Sequence, residues 1–354
     1  MLVMALKNLV EPGWEPDGGI EKWARKQGYG RSYALTEQGL RELRVAHDGS
    51  VAGLYLTEST NHEIYVGIST SDVTKRLRKN AETWPDTQAF RFIPSSASAT
   101  EIRNIERRFV HDAERNGLVN RNTEWASSIN GASSLDELVP VEDQQAWLAG
   151  PRSTANARDA GELTELTAGA VARNRHKYDA LLNLPHSEST LDAFAAYLRY
   201  CVPFPRTTEA TYWTATSLPS WSKGRRILTC TMAVIEVFFI YEMTDGEGPH
   251  AMLFVDRRHL PGGGLARLAF RRKLRQFGAR RVLNGHSSGG NWEQGIRFDD
   301  LGLFVSALES IPELQFATAH FALDRMRMRQ SGYKSSHNRS LAQAALLRTF
   351  ASPN

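Results

Sequence analysis

Five side chains that together suit hydrolysis of a phosphodiester follow one another early in the chain: Tyr55, Tyr65, Arg76, Glu106 and Asn120. Such hydrolysis needs an activated water and positive charge near the phosphoryl oxygens. An arginine offers a planar, permanently charged set of donors that fits a phosphate. Two tyrosines on neighbouring strands can point into one cleft, because alternate residues of a strand share a face. The residue types therefore favour chemistry on a phosphate.

The elements that must hold these side chains follow from local sequence patterns. Alternating apolar residues predict a β-hairpin, and a helix capped by Ser71 or Asp72 comes after it. A later helix has Ile102, Ile105 and Phe109 at helical spacing, and Gly117 is placed to end it. The predicted order is strand, strand, helix, strand, helix over Val51–Thr57, Glu63–Ile68, Val73–Asn80, Ala89–Ile93 and Thr100–Asn116. This order describes a small α/β sandwich, with an antiparallel sheet flanked by helices.

The two tyrosines lie in triplets that resemble the signature of the GIY-YIG nuclease superfamily. The triplets are Gly53-Leu54-Tyr55 and Tyr65-Val66-Gly67. An arginine in a basic helix, a glutamate in a later helix and an asparagine after that helix follow in the family's order and close to its spacing. The resemblance covers residues of about 50–139, roughly a quarter of the chain.

The resemblance implies a metal-dependent endonuclease that cleaves nucleic acid, with DNA as the favoured substrate. Tyr55 and Tyr65 would position or deprotonate the attacking water, and nearby positive charge would have to lower the pKa of the phenol. Arg76 would bind the phosphate. Glu106 would be the sole protein carboxylate on Mg²⁺ or Mn²⁺, which acts as a Lewis acid. Asn120 would orient groups around the site through the backbone or a tyrosine.

Three positions depart from the family pattern, and a fourth leaves its match open. Leu54 and Val66 replace isoleucines, and both changes keep the strand apolar. Asn80 stands one turn after the arginine, where the family often has a histidine, so a histidine base is absent from that position. Asn122 is the alternative to Asn120 for the family's asparagine.

Basic residues near the predicted site, and others far from it, are candidates for contact with a nucleic-acid backbone. Local clusters of this kind can neutralise phosphates, whereas solvated helix faces are the simpler reading of each cluster. The candidates are Lys75, Arg78, Lys79 and Arg107 in the first part of the chain, and Arg271, Arg272 and Arg275 in a predicted basic helix, Leu265–Phe277.

The rest of the chain predicts a larger α+β domain. We expect a helical extension over residues 1–48, the nuclease domain over 49–140, a helix and linker over 141–160, and a domain for target recognition or regulation over 161–354. Strands are predicted over Arg226–Tyr241, His250–Val255, Arg281–Asn284 and Leu314–Leu323. Residues 290–295 read as a loop. The α+β class is the prediction for both parts.

Two alternatives to the endonuclease belong to other classes. One is a nucleic-acid-binding module that keeps the nuclease fold without activity. The other is a serine esterase, since Gly285-His286-Ser287-Ser288-Gly289 matches the G-x-S-x-G pattern, and Asp300 and His320 follow in hydrolase order.

Overall composition says more about the cellular location of the protein than about its function. A formal net charge of +4 from 43 basic and 39 acidic residues names no partner by itself. Two cysteines suit a reducing cytoplasm, and no run reaches the roughly 20 apolar residues of a membrane helix. We therefore expect a cytoplasmic protein with no membrane association. Restriction or phage defence is the role that family analogy favours, and a homo-oligomer is left open.

Overall fold

The chain divides into two compact units, Met1–Asn130 and Gly131–Asn354. The computed structural model describes residues 13–49, 51–128, 132–150, 169, 172–243, 248–282, 286 and 289–350. Both units combine helices with an antiparallel sheet, which confirms the α+β class. None of the helices in these ranges has the length and apolar character needed to cross a membrane.

The first unit is built on a four-stranded antiparallel sheet of order β1-β4-β2-β3. Its described elements are α1 Gly18–Gln27, β1 Tyr33–Ala34, α2 Glu37–Ala46, β2 Gly53–Ser59, β3 Ile64–Ser69, α3 Val73–Thr83, β4 Thr87–Pro94 and α4 Ala99–Arg115. The order of elements predicted from residue 51 onward is confirmed. The segment before residue 49, predicted as a helical extension, also supplies β1, which pairs with β4 through Tyr33 and Phe90.

Short-range capping fixes where the two helices near the predicted site begin. The Asp72 carboxylate accepts from the Thr74 backbone N–H at 2.9 Å, so α3 starts directly after β3 and its connecting turn. A capping box formed by Ser98 and Glu101 starts α4. One face of the sheet then packs against α3 through Val73 and Leu77, which are fully buried in a core that also contains β2 and β4 side chains.

The second unit has a six-stranded antiparallel sheet of order β5-β6-β7-β8-β10-β9. Its elements are α5 Val141–Ala149, α6 Arg175–Leu182, α7 Ser187–Cys201, β5 Trp213–Ser217, β6 Gly224–Met232, β7 Ile235–Met243, β8 His250–Asp256, a 3₁₀ turn Arg257–His259, α8 Gly264–Gln276, β9 Ala279–Val282, β10 Glu293–Phe298, α9 Leu301–Ser310, α10 Pro312–Met328, a 3₁₀ turn Lys334–Ser336 and α11 Arg339–Phe350. Buried aromatic residues such as Trp213, Phe238 and Phe304 lie in its core.

Three predictions in the second unit were wrong. Leu314–Leu323 is not a strand but part of α10, which has Pro312 in its first turn and apolar residues buried around most of its surface. Arg226–Tyr241 is not one strand, because the chain turns at Ala233, where φ is 51°, and returns as β7. Residues 290–295 are not all loop, since β10 begins at Glu293. The predicted linker over residues 149–156 lies mostly outside the described residues.

Candidate active site

Strand pairing places the two predicted tyrosines on one face of the sheet. Tyr55 of β2 lies opposite Gly67 of β3, and Tyr65 lies opposite Thr57, so the tyrosines are diagonal neighbours. Their ring centroids are 6.0 Å apart. Tyr55 is buried, with 2% of its surface exposed, whereas Tyr65 is half-buried and lies 5.0 Å from the Trp84 ring.

The glycines of the two triplets are required by close packing. A Cβ on Gly67 would lie 2.3 Å from Cζ of Tyr55, so the tyrosine ring occupies the space that any side chain there would need. A Cβ on Gly53 would lie 2.0 Å from the Ile93 carbonyl oxygen of the neighbouring strand. Gly67 therefore makes room for the Tyr55 ring, and Gly53 allows the close approach of β2 and β4.

Helix α3 brings an amide and a guanidinium toward the tyrosines. Asn80 Nδ2 donates to the Tyr55 hydroxyl at 3.4 Å. Arg76 is exposed, and its positive charge favours the ionised form of both Tyr55 and Tyr65. The family's histidine position is thus held by an amide that contacts a tyrosine, and Arg76 is left accessible to solvent and to an anionic ligand.

Helix α4 contributes a buried carboxylate. Glu106 is 8% exposed, and burial raises its pKa to about 7. The nearby Glu124 carboxylate raises this pKa further, while the indole of Trp125, which donates to Glu106 Oε2 at 3.3 Å, and the Arg103 charge oppose the shift. The negative charge of Glu106 also acts on Tyr65. Glu106 is therefore close enough to the tyrosine pair for its charge to raise the pKa of Tyr65.

The direction of the phenol pKa shifts contradicts the prediction. Burial raises the pKa of both tyrosines and outweighs the opposing effect of Arg76. The interaction between the two hydroxyls raises the pKa of Tyr55 further and opposes the rise in the pKa of Tyr65. The prediction of lowered phenol pKa values was therefore wrong for the protein without ligand, and of the two phenols Tyr65 loses its proton more easily.

Tyr29 is a further buried phenol that the sequence did not reveal. Its hydroxyl oxygen is buried and has no hydrogen-bond partner among the described residues. The charges of Glu106 and Tyr55 both act on it and help to raise its pKa. A buried polar atom without a partner calls for a ligand or a water at that point.

The two candidate asparagines have different roles. Asn122 accepts from the Val66 backbone N–H at 2.8 Å and donates to the Val66 carbonyl oxygen at 2.6 Å. Asn120 accepts from the backbone N–H of Asn122 at 2.8 Å. Asn120 therefore contacts the backbone of Asn122, and Asn122 binds the middle residue of the Tyr-Val-Gly triplet. The preference for Asn120 as the family's asparagine stays a prediction.

The predicted nucleic-acid contacts in this unit are of two kinds. Lys75 and Lys79 are exposed on α3. Arg78 instead forms two hydrogen bonds of 2.9 Å with the Glu37 carboxylate, which neutralises its charge. Arg107 is half-buried, donates to Asn104 and lies 5.8 Å over the Trp125 ring. Lys75, Lys79 and Arg107 remain candidates for contact with nucleic acid, and the Arg78 guanidinium would have to leave Glu37 or bind alongside it.

In the second unit, Arg272 and Arg275 are exposed on α8, and Arg271 is half-buried there. The esterase residues do not form a catalytic set among the described residues. Ser287 lies outside those residues, Asp300 accepts from the Leu303 backbone N–H as the cap of α9, and the His320 ring stacks on His259 at 3.7 Å.

The strand that follows residue 292 also disagrees with a nucleophile elbow, because that motif requires a helix after the serine. Together with the helix-capping role of Asp300, this removes the esterase alternative.

The residues around Glu106 fit a single-carboxylate metal site. No group of three or more histidine, cysteine, aspartate or glutamate side chains in the described ranges could hold a metal ion. A divalent cation on Glu106 would stabilise the ionised carboxylate that burial disfavours, and water or phosphate oxygens can complete the shell of Mg²⁺. The exposed Glu124 lies close enough to act on Glu106 and would add negative charge.

Comparison of the chain with known families, with curated proteins and with solved structures found no match in any of the three. The geometry of the site therefore carries the functional argument.

Proposed function

We propose that the first unit is a metal-dependent endonuclease of the GIY-YIG type that hydrolyses nucleic-acid phosphodiesters, with DNA as the favoured substrate. The single observation that supports it is the convergence of two phenols, a guanidinium and a buried carboxylate from four different elements: Tyr55 of β2, Tyr65 of β3, Arg76 of α3 and Glu106 of α4. Residues from separate elements rarely converge in this way unless a shared ligand requires it.

Each residue has a role that follows from its surroundings. Arg76 is exposed and charged, so it binds the phosphate and offsets charge on its oxygens. Tyr65 is the phenol that ionises more easily, so it orients the attacking water and accepts its proton. Asn80 donates a hydrogen bond to the Tyr55 hydroxyl, and the Tyr55 ring lies beside that of Tyr65 and helps to hold it in place. Glu106 would hold Mg²⁺ or Mn²⁺, which when bound supplies Lewis acidity toward the phosphate.

Cleavage of a supercoiled plasmid and of labelled DNA and RNA oligonucleotides, each with Mg²⁺ or Mn²⁺, tests this proposal. We expect metal-dependent nicking that is abolished in Glu106→Ala and retained in Glu82→Gln, which changes an exposed carboxylate on α3. Mapping the product ends identifies the preferred nucleic acid and cleavage sequence. Absence of cleavage by the wild-type protein with both metals and all substrates would overturn the proposal.

A catalytically silent binding module is the second candidate. The observation that favours it is the raised pKa of both tyrosines, which keeps them protonated in the protein without ligand. Tight binding of an oligonucleotide without cleavage, lost in Arg76→Ala, would support this module. Use of the second unit for target recognition, in restriction or phage defence, is proposed by analogy alone.

A further inference from the structure

Four arginines surround one concave pocket of the second unit. Arg257 of the first 3₁₀ turn, Arg267 and Arg271 of α8, and Arg281 of β9 line a cavity of about 200 Å³. The charges of the other three lower the pKa of the Arg281 guanidinium, as does its partial burial, so the four positive charges are close enough to repel one another.

None of these four arginines forms an ion pair with a carboxylate among the described residues, whereas neighbouring arginines do. Arg258 pairs with Asp256 and Asp324, and Arg280 pairs with Asp299 at 2.6 Å. Arg257 lies over the Trp292 ring at 4.8 Å, and Arg281 donates to Gln294. Neutral partners thus hold two of the guanidiniums in place, and their charges remain available to an anion from solvent.

A larger apolar pocket adjoins the arginine pocket. Its volume is about 620 Å³, and it shares Leu260 and Pro261 with the smaller cavity. Phe316, which is 39% exposed, and His259 give it aromatic walls. Glu313 also lines it, and the Oε2 atom of this carboxylate is buried with no hydrogen-bond partner among the described residues. A ligand with an aromatic ring and an N–H donor would satisfy both features.

We propose that the second unit binds a nucleoside polyphosphate, with its phosphates among Arg257, Arg267, Arg271 and Arg281 and its base in the adjoining pocket beside Phe316 and Glu313. Four guanidiniums match the charge of a di- or triphosphate. Leu260 and Pro261 line both pockets, so the phosphate and base sites of this proposal lie next to each other. This inference is independent of the proposed nuclease activity, because every residue it uses lies in the second unit.

Calorimetric titration of the full chain with ATP and GTP, in the presence of a chelator that silences metal-dependent cleavage, tests the inference. Inorganic triphosphate probes the arginine pocket alone, and the free nucleosides probe the adjoining pocket alone. We expect Arg271→Ala and Arg281→Ala each to weaken nucleotide binding by about tenfold or more, since each removes charge-assisted hydrogen bonds to phosphate. Arg280→Ala is the matched control, because this neighbouring strand residue is already paired with Asp299.

A separate substitution tests the proposed base pocket. Phe316→Ala should weaken binding of the nucleotide while leaving that of inorganic triphosphate unchanged. The inference is overturned if neither nucleotide binds, if inorganic triphosphate binds as tightly as both nucleotides, or if binding survives Arg271→Ala unchanged. It is also overturned if only a DNA duplex binds through these arginines and excess ATP fails to displace it.

Discussion

Replacement of Glu106 by glutamine should stabilise the protein at alkaline pH. Burial raises the pKa of Glu106 from 4.5 to about 7, so between these values the folded state holds a proton that the unfolded chain releases. Stability contributed by this group is therefore present below about pH 4.5 and is lost as pH rises to about 7. Above pH 7 the ionised carboxylate costs about 3 kcal/mol at 1.36 kcal/mol for each unit of pKa. Glutamine removes this cost and keeps an acceptor for Trp125.

Scanning calorimetry of the full chain between pH 4.5 and pH 8 measures the effect. For a unit of this size, removing the cost of the ionised carboxylate corresponds to a rise of roughly 10 °C in the Tm of the first unit at pH 8. At pH 4.5 the Tm of Glu106→Gln should differ little from that of the wild-type protein. Glu82→Gln, on an exposed part of α3, should shift stability by less than about 0.5 kcal/mol throughout.

Mg²⁺ should raise the Tm of the wild-type protein at pH 8 and leave that of Glu106→Gln unchanged, because the variant lacks the carboxylate. If the Tm of Glu106→Gln followed that of the wild-type protein in parallel from pH 5 to pH 8, ionised Glu106 would not destabilise the folded state, and the reasoning would be refuted.

Four other substitutions test the geometry of the site. Tyr65→Phe should reduce cleavage by about 100-fold or more, and Tyr55→Phe by less, in single-turnover assays, because Tyr65 ionises more easily. Gly67→Ala should displace the Tyr55 ring, destabilise the first unit by about 1–3 kcal/mol and lower cleavage, as urea unfolding and the same assay can measure. Asn122→Ala should cost about 2–4 kcal/mol in urea unfolding, since two buried backbone groups of Val66 lose their partner, and an effect under 1 kcal/mol would contradict this role.

In the first unit, local patterns were enough to predict the elements from β2 to α4 and the tyrosine pair, but not β1. The alternation of apolar residues fixes which side chains of β2 and β3 share a face, and Tyr55 and Tyr65 follow from that rule alone. The ion pair of Arg78 with Glu37 and the hydrogen bond of Asn80 to Tyr55 depend on how α3 packs against α2 and the sheet. No spacing in the sequence encodes those contacts.

In the second unit, predictions were wrong where the same sequence pattern is compatible with two kinds of secondary structure. The apolar run from Leu314 to Leu323 fits a strand, but it also fits α10, a helix buried around most of its surface. The turn between β6 and β7 at Ala233 and Val234 has neither glycine nor asparagine, so composition does not mark it. The arginine pocket likewise joins residues from a turn, a helix and a strand, which only the tertiary fold brings together.

The unusual protonation of the candidate nuclease site has a consequence for its regulation. Glu106 holds a proton up to about pH 7, and burial keeps Tyr55 and Tyr65 neutral, so none of these three side chains adds negative charge beside Arg76 in the site without ligand. A divalent cation would lower the pKa of both Glu106 and Tyr65. Metal binding should therefore release protons and strengthen with rising pH. Burial raises the pKa of Tyr65 as it raises that of Glu106. Tyr65 would therefore act as a base when a bound cation lowers its pKa.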